Sequence, residues 1–347
     1  MSKEIMTSQL SIPNLNSSTI KSLAQHLGNI GEKSFNPEFS ILRSATNEEK
    51  YSNEQLPYGS SADLVEVFEL MRSLNYKGIT DATIGKGDSE GLCLADAFNE
   101  TCDVIATKFR GKTIDYVELG PEPVKTELLL SALRGRGVDV ASYTSIDINP
   151  SSAKPMREVV SRVWPTIDIQ HMAVNFNDLT AEHLGKENPV IFTSLGFQEG
   201  NHPPSQTYDL LIRIMRPGDV FLTEMQIYTP EDTGPIEQFY QLDEMIRFSK
   251  NCLRRAYGDV GSSYQTSIID VEIDSNTYKA AVCHEAFLDD SGRSIYFVTN
   301  YCLKYSKDEL RTLREAKGEI EVISEITTGD NSLLLQLCER RGNLERQ

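Results

Sequence analysis

At 347 residues the chain is long enough to bury a large core, as one large domain or as two. A composition of 39% hydrophobic and 24% charged residues is that of an ordinary soluble globular protein. The formal net charge of −17 argues against a nucleic-acid partner, because affinity for a phosphate backbone rests on cationic neutralisation.

Residues 1–53 are rich in Ser, Asn and Lys, with one weak amphipathic stretch around Ile20–Leu27. They read as an arm that packs on another subunit in a homodimer. Leu56–Gly59 is a turn, and Ala62–Leu74 carries apolar residues at helical spacing: Leu64, Val65, Val67, Phe68, Leu70 and Met71. Asn75–Gly87 reads as a glycine-punctuated loop and Gly91–Phe109 as a second amphipathic helix.

From Ile114 to Val220 the pattern alternates strand and helix, as in a parallel, doubly wound sheet. The expected strands are Tyr116–Leu119, Tyr143–Ile148, Ile167–Ala173, Val190–Leu195 and Asp219–Met225, with a helix at Pro203–Met215 before the last. Tyr228–Ala256 is a Pro/Gly loop followed by a helical stretch. Three strand-like runs come next, Ser267–Ile273, Lys279–Phe287 and Ser294–Leu303, with a hairpin signal at Asp289–Gly292. Ser306 and Glu309 fit a capping box, and Ile320–Glu325 and Leu333–Leu337 are the closing strands.

The most informative stretch is Ile114–Leu133. A short strand breaks at Gly120 and the chain restarts as a helix over Lys125–Leu133, which leaves helix N-terminal N–H groups and a bare backbone for a ligand. Some twenty residues on, Asp147 stands near the end of the next strand, where nucleotide-binding α/β domains place the carboxylate that receives ribose hydroxyls. The pair reads either as a nucleoside-binding crevice or as a plain strand–helix turn with a surface acid. A single glycine replaces the three of a dinucleotide site, and acids flank it (Glu118, Glu122). That suits a cationic sulfonium better than a pyrophosphate, leaving a nicotinamide oxidoreductase as the weaker reading.

Six cysteines without a C-x-x-C spacing read as reduced thiols of a cytoplasmic protein. The histidines share no ligand spacing with them, so no metal is expected. No apolar run approaches the roughly 20 residues that span a bilayer, and the N-terminal stretch lacks a signal-peptide core, so no membrane partner is expected.

Seven stretches in order, from about Leu56 to the C-terminus, resemble the histidine-specific, S-adenosylmethionine-dependent methyltransferase family, known for making histidine betaine. VELGPEPVKTELLLSAL resembles its first motif, one residue shorter, and YTSIDINPSS its second-strand motif. VNFND stands where the family has Gly-Asp-Phe, and LGFQEGN keeps both glycines of Leu-Gly-Ser-Thr-Ile-Gly-Asn. MRPGDVFLTEMQIY, FVTNYCLKYSKDEL and TTGDNSLLLQL are similar to three later segments.

The resemblance implies an α/β fold: a Rossmann-like doubly wound sheet (a class I methyltransferase) with a smaller α+β substrate-binding domain. The expected division is an arm (1–53), a helical segment packing with the substrate domain (54–110), the core (111–227), an inserted substrate subdomain (228–304) and a return to the core sheet (305–347). It implies S-adenosylmethionine as cofactor, held by Glu118, Gly120, Pro121, Lys125, Asp147, Asn175, Phe176, Leu195 and Gly196. Lys125 would meet the methionine carboxylate.

Substrate contacts would fall to Tyr58, Tyr76, Asn201, Tyr240, Asn300 and Cys302, with Tyr58 and Tyr76 as the catalytic pair. The family reads imidazole with a Glu and a Ser; here Asn300 and Cys302 stand in those places, a weak acceptor and a poor partner. Glu199 reads either as a partner for a cationic substrate or as a solvated loop acid. The expectation is therefore N-methylation of an amino acid or amino-acid-derived small molecule other than histidine. The alternatives are methylation at carbon or oxygen, and a degenerate member that binds without turnover.

Overall fold

A computed structural model describes residues 40–342 apart from 53–55, 89, 230–231 and 274. The Ile20–Leu27 stretch and most of the expected arm lie outside the described residues. Within them the chain begins with β1 (Ser40–Ser44) and a short helix α1 (Asn47–Tyr51), then α2 (Ser61–Thr80) and α3 (Leu94–Phe109). Strand and helix next alternate: β2 (Thr113–Leu119), α4 (Pro123–Gly135), β3 (Asp139–Ile146), α5 (Ala153–Val163) and β4 (Asp168–Met172). The alternation continues through α6 (Ala181–Leu184), β5 (Val190–Ser194), α7 (Pro204–Ile214) and β6 (Val220–Gln226). After α8 (Gly234–Tyr240) and α9 (Asp243–Tyr257) come β7 (Ser263–Ile273), β8 (Asn276–Leu288) and β9 (Ser294–Lys304). The last elements are α10 (Lys307–Glu315), β10 (Ile320–Thr327) and β11 (Leu333–Arg340).

The chain divides into two compact units. One takes residues up to Leu70 together with Asp232–Lys304; the other takes Met71–Glu231 and the chain from Tyr305 on. The larger unit is built on a seven-stranded sheet in the order β10-β11-β6-β5-β2-β3-β4. Strands β2 to β6 run parallel, and β11 and β10 are antiparallel. Every residue of β5 and of β6 is buried, as expected for strands covered on both faces. On one face Ile114 and Tyr116 pack with α3, α4 and α5; on the other Val117 and Leu119 pack with α6 and α7. In α3 the buried set Leu94, Ala97, Phe98, Cys102, Ile105 and Phe109 follows helical spacing. This is a Rossmann-like doubly wound sheet, as expected. The chain proceeds from β2 to β3 and β4, then crosses to β5 and β6, so the switch point lies between β2 and β5.

The smaller unit carries a four-stranded sheet ordered β1-β9-β8-β7. β7, β8 and β9 form an antiparallel meander, and β1 joins its edge in parallel with β9. Helix α9 covers β8 and β9, with Cys252 and Leu253 against Phe287, Ile295 and Phe297. Arg255, fully buried, is satisfied by Asn251 Oδ1 at 2.8 Å and by the carbonyls of Lys50 and Ser52 at 2.5 and 3.2 Å.

Two local expectations are corrected. The loop placed at Asn75–Gly87 is helical to Thr80, where side-chain bonds from Asn75 to the Met71 carbonyl and from Thr80 to the Tyr76 carbonyl reinforce the ladder. Residues 40–52, read with the arm, form β1 and α1. Ser306 does form a capping box with Glu309 at α10.

In the larger unit the β10–β11 turn rests on the loop before α3, with Gly329 N bonded to Leu92 O at 3.0 Å. A Cβ on Gly329 would fall 2.1 Å from Lys86 O and 2.5 Å from the Gly91 Cα. Both obstacles are backbone, so the loops must separate. Gly329→Ala is expected to cost about 1–3 kcal/mol in denaturant unfolding; an unchanged midpoint would show that the loops part freely.

Candidate functional site

Every sequence-derived cofactor position lies in the larger unit, most of them at the carboxyl ends of β2, β3, β4 and β5. β2 ends at Leu119, and Gly120 turns the chain at φ 66° while its N–H bonds Ile146 O at 2.8 Å. Buried Pro121 follows, and Glu122 caps α4, its carboxylate accepting from Val124 N and Lys125 N at 2.9 and 3.0 Å. This corrects one expectation: two helix-terminal N–H groups that were to face a ligand are already occupied by Glu122. An anion arriving there would meet a carboxylate, which removes the pyrophosphate seat that a nicotinamide dinucleotide needs.

Glu118 is fully buried on β2. Its Oε2 accepts from Thr126 Oγ1 at 2.7 Å and Tyr143 OH at 2.8 Å, whereas Oε1 is buried with no hydrogen-bond partner. Burial pushes its carboxyl up to about 7, against those two hydrogen bonds. Burial likewise raises Glu122 to about 7, opposed by the Lys125 and Val124 N–H groups. Lys125 is committed to Glu224 on β6, Nζ to Oε2 at 2.5 Å, with both side chains buried. The same oxygen receives Gly196 N at 2.8 Å, and Glu224 Oε1 is buried without a partner.

Asp147 follows β3, its N–H on Met172 O at 3.1 Å and its Oδ1 receiving Asn149 N at 2.9 Å. Burial raises its carboxyl to about 6, opposed by the Asn149 N–H and the Ser152 hydroxyl. Asn175 and Phe176 begin the turn after β4, both half-buried, and Phe176 packs on the second apolar cluster with its ring 6.3 Å from that of His202. Leu195 is buried after β5, and Gly196 turns at φ 72°. The 3₁₀ turn Gln198–Asn201 ends on half-buried Asn201. Glu199 is neither solvated nor open to a substrate: Arg314 takes both its oxygens, at 2.6 and 2.7 Å, in a buried pair. Tyr76 is 58% exposed on α2.

The smaller unit holds the other positions. It brings Tyr240, Asn300 and Cys302 together, and burial, then the Cys302 and Cys283 sulfurs, holds the phenol un-ionised. Lys304 Nζ lies 3.3 Å from Cys302 Sγ and 5.1 Å from the Tyr240 ring centroid; burial lowers its pKa, against the Cys302 sulfur. Tyr58 is 61% exposed, its N–H on Arg255 O at 3.1 Å. All six cysteines are buried and none forms a disulfide. Among the described residues no helix is long and apolar enough to cross a membrane, and no cluster of His, Cys, Asp and Glu is arranged for a metal.

Glu224 was missed from sequence. Glu224 had a signal: an acid inside the wholly buried run VFLTEMQ demands a partner.

Glu118, Glu122 and Glu224 thus interact with one another and with Lys125, and Glu118 Oε1 and Glu224 Oε1 are buried without a hydrogen-bond partner. The folded value of Glu118 lies above the ordinary 4.5, so its contribution to stability is present below that value and is lost as pH rises through 7. Glu118→Gln is therefore expected to gain about 2–3 kcal/mol relative to wild type between pH 5 and 8, read by denaturant titration; a pH-independent difference would contradict it.

A family model described as histidine-specific, SAM-dependent methyltransferase matches residues 95–339. No curated protein matches the chain. Among solved structures, an S-adenosylmethionine-dependent methyltransferase from Clostridium acetobutylicum is 9% identical over 78% of this chain and 98% of its own, with a TM-score of 0.42. The PH0226 protein of Pyrococcus horikoshii is 13% identical, covering 77% of this chain and 99% of its own at a TM-score of 0.39. The Burkholderia thailandensis 1,6-didemethyltoxoflavin-N1-methyltransferase is 10% identical over 82% and 92%, at 0.37.

Proposed function

Since the chain belongs to the histidine-specific, SAM-dependent methyltransferase family, we propose that it N-methylates an amino acid or amino-acid-derived small molecule other than histidine. Methyl transfer is its activity and S-adenosylmethionine its cofactor. The observation that carries the site reading is two buried, unpartnered oxygens, Glu118 Oε1 on β2 and Glu224 Oε1 on β6. Desolvated acceptors of this kind call for a cation. The sulfonium and ammonium of the cofactor supply one, and its reactive methyl is already activated by the sulfonium charge.

Asp147 would receive the ribose hydroxyls. Asn175 would accept from the adenine amine, Phe176 and Leu195 would cover the base, and Gly120, Pro121 and Gly196 would let the backbone approach. Lys125 would neutralise Glu224 and keep the charged end from over-accumulating negative charge. The chain's remaining task is to present a neutral amine in line with the methyl carbon, and holding that geometry supplies most of the acceleration. Tyr58 and Tyr76 are assigned to carry off the amine proton, with Asn201 on the substrate's amino-acid end.

The departure from histidine rests on Asn300 and Cys302. Tyr240 lies with both, and neither is a carboxylate that accepts an imidazole N–H strongly. A buried lysine beside Cys302 adds a donor, not an acceptor. The substrate is a small molecule in the cytoplasm, with neither nucleic acid nor membrane as partner.

The test is incubation with methyl-labelled cofactor and a panel of free amino acids and amines, read by mass spectrometry. An amino acid other than histidine is expected to acquire label on nitrogen. Histidine as the preferred acceptor would overturn the substrate assignment. Label on carbon or oxygen would overturn the atom, and no acceptor despite cofactor binding would overturn turnover.

A further inference from the structure

The carbonyl of Gly120 is already engaged. Gln198 Nε2 donates to Gly120 O at 2.6 Å, which fixes the amide orientation, because a carbonyl facing a carbonyl would be repulsive. The amide lies against the bare Cα: a Cβ on Gly120 would fall 1.9 Å from Gln198 Oε1 and 2.1 Å from Nε2. A side chain from another loop thus fills the space that a strand-end glycine leaves for a ligand.

The backbone carrying Gln198 is tied on both sides. Gly196 N bonds Glu224 Oε2 at 2.8 Å and Phe197 N bonds Glu224 O at 3.2 Å, while Glu199 is clamped by Arg314. Phe197 is held at φ 65°, a conformation that a bulky L-residue keeps only when its surroundings over-determine it. With the loop fixed, the Gln198 side chain is the part able to move, and a rotamer change exchanges a single hydrogen bond.

We propose that Gln198 stands in for the cofactor's ammonium at the Gly120 carbonyl and must swing out to admit the cofactor's methionine end. It is a positioning residue that sets the protein's preference among nucleosides, penalising those that carry an amino-acid tail. The inference rests on the crevice assigned under the proposed function. Glu118 Oε1 and Glu224 Oε1, buried and without hydrogen-bond partners, do not take part in the Gln198–Gly120 contact.

The test is calorimetric titration of the full chain with two probes, S-adenosylhomocysteine and 5′-methylthioadenosine, which lacks the amino-acid end. In Gln198→Ala the competitor is gone, so S-adenosylhomocysteine is expected to bind roughly three- to tenfold tighter, the value of one hydrogen bond. 5′-Methylthioadenosine should bind as in wild type. General structural damage would weaken both, so a gain confined to the tailed probe is specific to the swing. Unchanged or weaker binding of S-adenosylhomocysteine, or an equal change for both probes, overturns the proposal. If Gln198→Ala loses its cooperative thermal transition, Gln198→Ser, too short to reach Gly120 O, takes its place with the same expected gain. Wild-type protein that binds neither probe would overturn the crevice itself along with this inference. Wild type that binds both, with no gain in the variants, would overturn Gln198's role alone.

Discussion

Asp147→Ala is expected to weaken S-adenosylhomocysteine binding roughly a hundredfold at pH 7.5. Two hydroxyl-to-carboxylate bonds are lost, each worth about 1.5 kcal/mol or more. The same carboxylate predicts a pH profile. Its pKa is raised by burial to about 6, so it accepts as an anion above that value and loses acceptor strength as pH falls through it. Wild-type affinity should drop between pH 8 and 5 in two steps, one near 7 from Glu118 and Glu122 and one near 6 from Asp147. Asp147→Asn should erase the lower step and keep the upper. Calorimetry across pH reads both, and an Asp147→Ala affinity within about threefold of wild type would remove Asp147 from the site.

Glu224→Ala should be the most damaging single change to stability in the crevice. It leaves the Lys125 ammonium buried without its counter-ion and strands the Gly196 N–H, at an expected cost of about 3–5 kcal/mol in denaturant unfolding. The double variant Lys125→Met with Glu224→Leu removes both charges and should recover most of that loss. It should not recover cofactor affinity, because the unpartnered Oε1 goes with the carboxylate. Stability and binding would thus separate. A single substitution costing less than about 1 kcal/mol would mean that water reaches the pair.

Local chemistry explains which parts of the crevice were legible in the sequence. The strand that breaks at Gly120, the acid at the end of the next strand and the Ser306 capping box are short-range signals, and each sits where its residues place it. Partners far apart in the chain leave no such signature. Lys125 finds Glu224 ninety-nine residues away, and Glu199 finds Arg314 at a separation of 115. Sequence alone therefore left Lys125 open for a ligand and Glu199 open to a cationic substrate or to solvent. Glu122 shows a different limit. Its charge was read as unfriendly to pyrophosphate, but its capping bonds to α4 depend on a turn geometry that Pro121 and Pro123 set. The β1–β9 pair was invisible for the same reason as the ion pairs, since a five-residue edge strand carries no mark of its distant mate.

That edge strand also bears on how the chain is made. Ser40 pairs with Ser294, so β1 leaves the ribosome about 250 residues before its neighbour exists. At roughly 5–20 residues per second it waits on the order of 10–50 s with an open, partly apolar edge. The five parallel strands of the larger sheet, by contrast, follow one another within Thr113–Gln226 and can begin to assemble as they emerge. Synthesis therefore favours an order in which the seven-stranded sheet begins to form while β1 is still unpaired. A pause or truncation before Ser294 would leave that strand exposed to the same strand in another nascent chain.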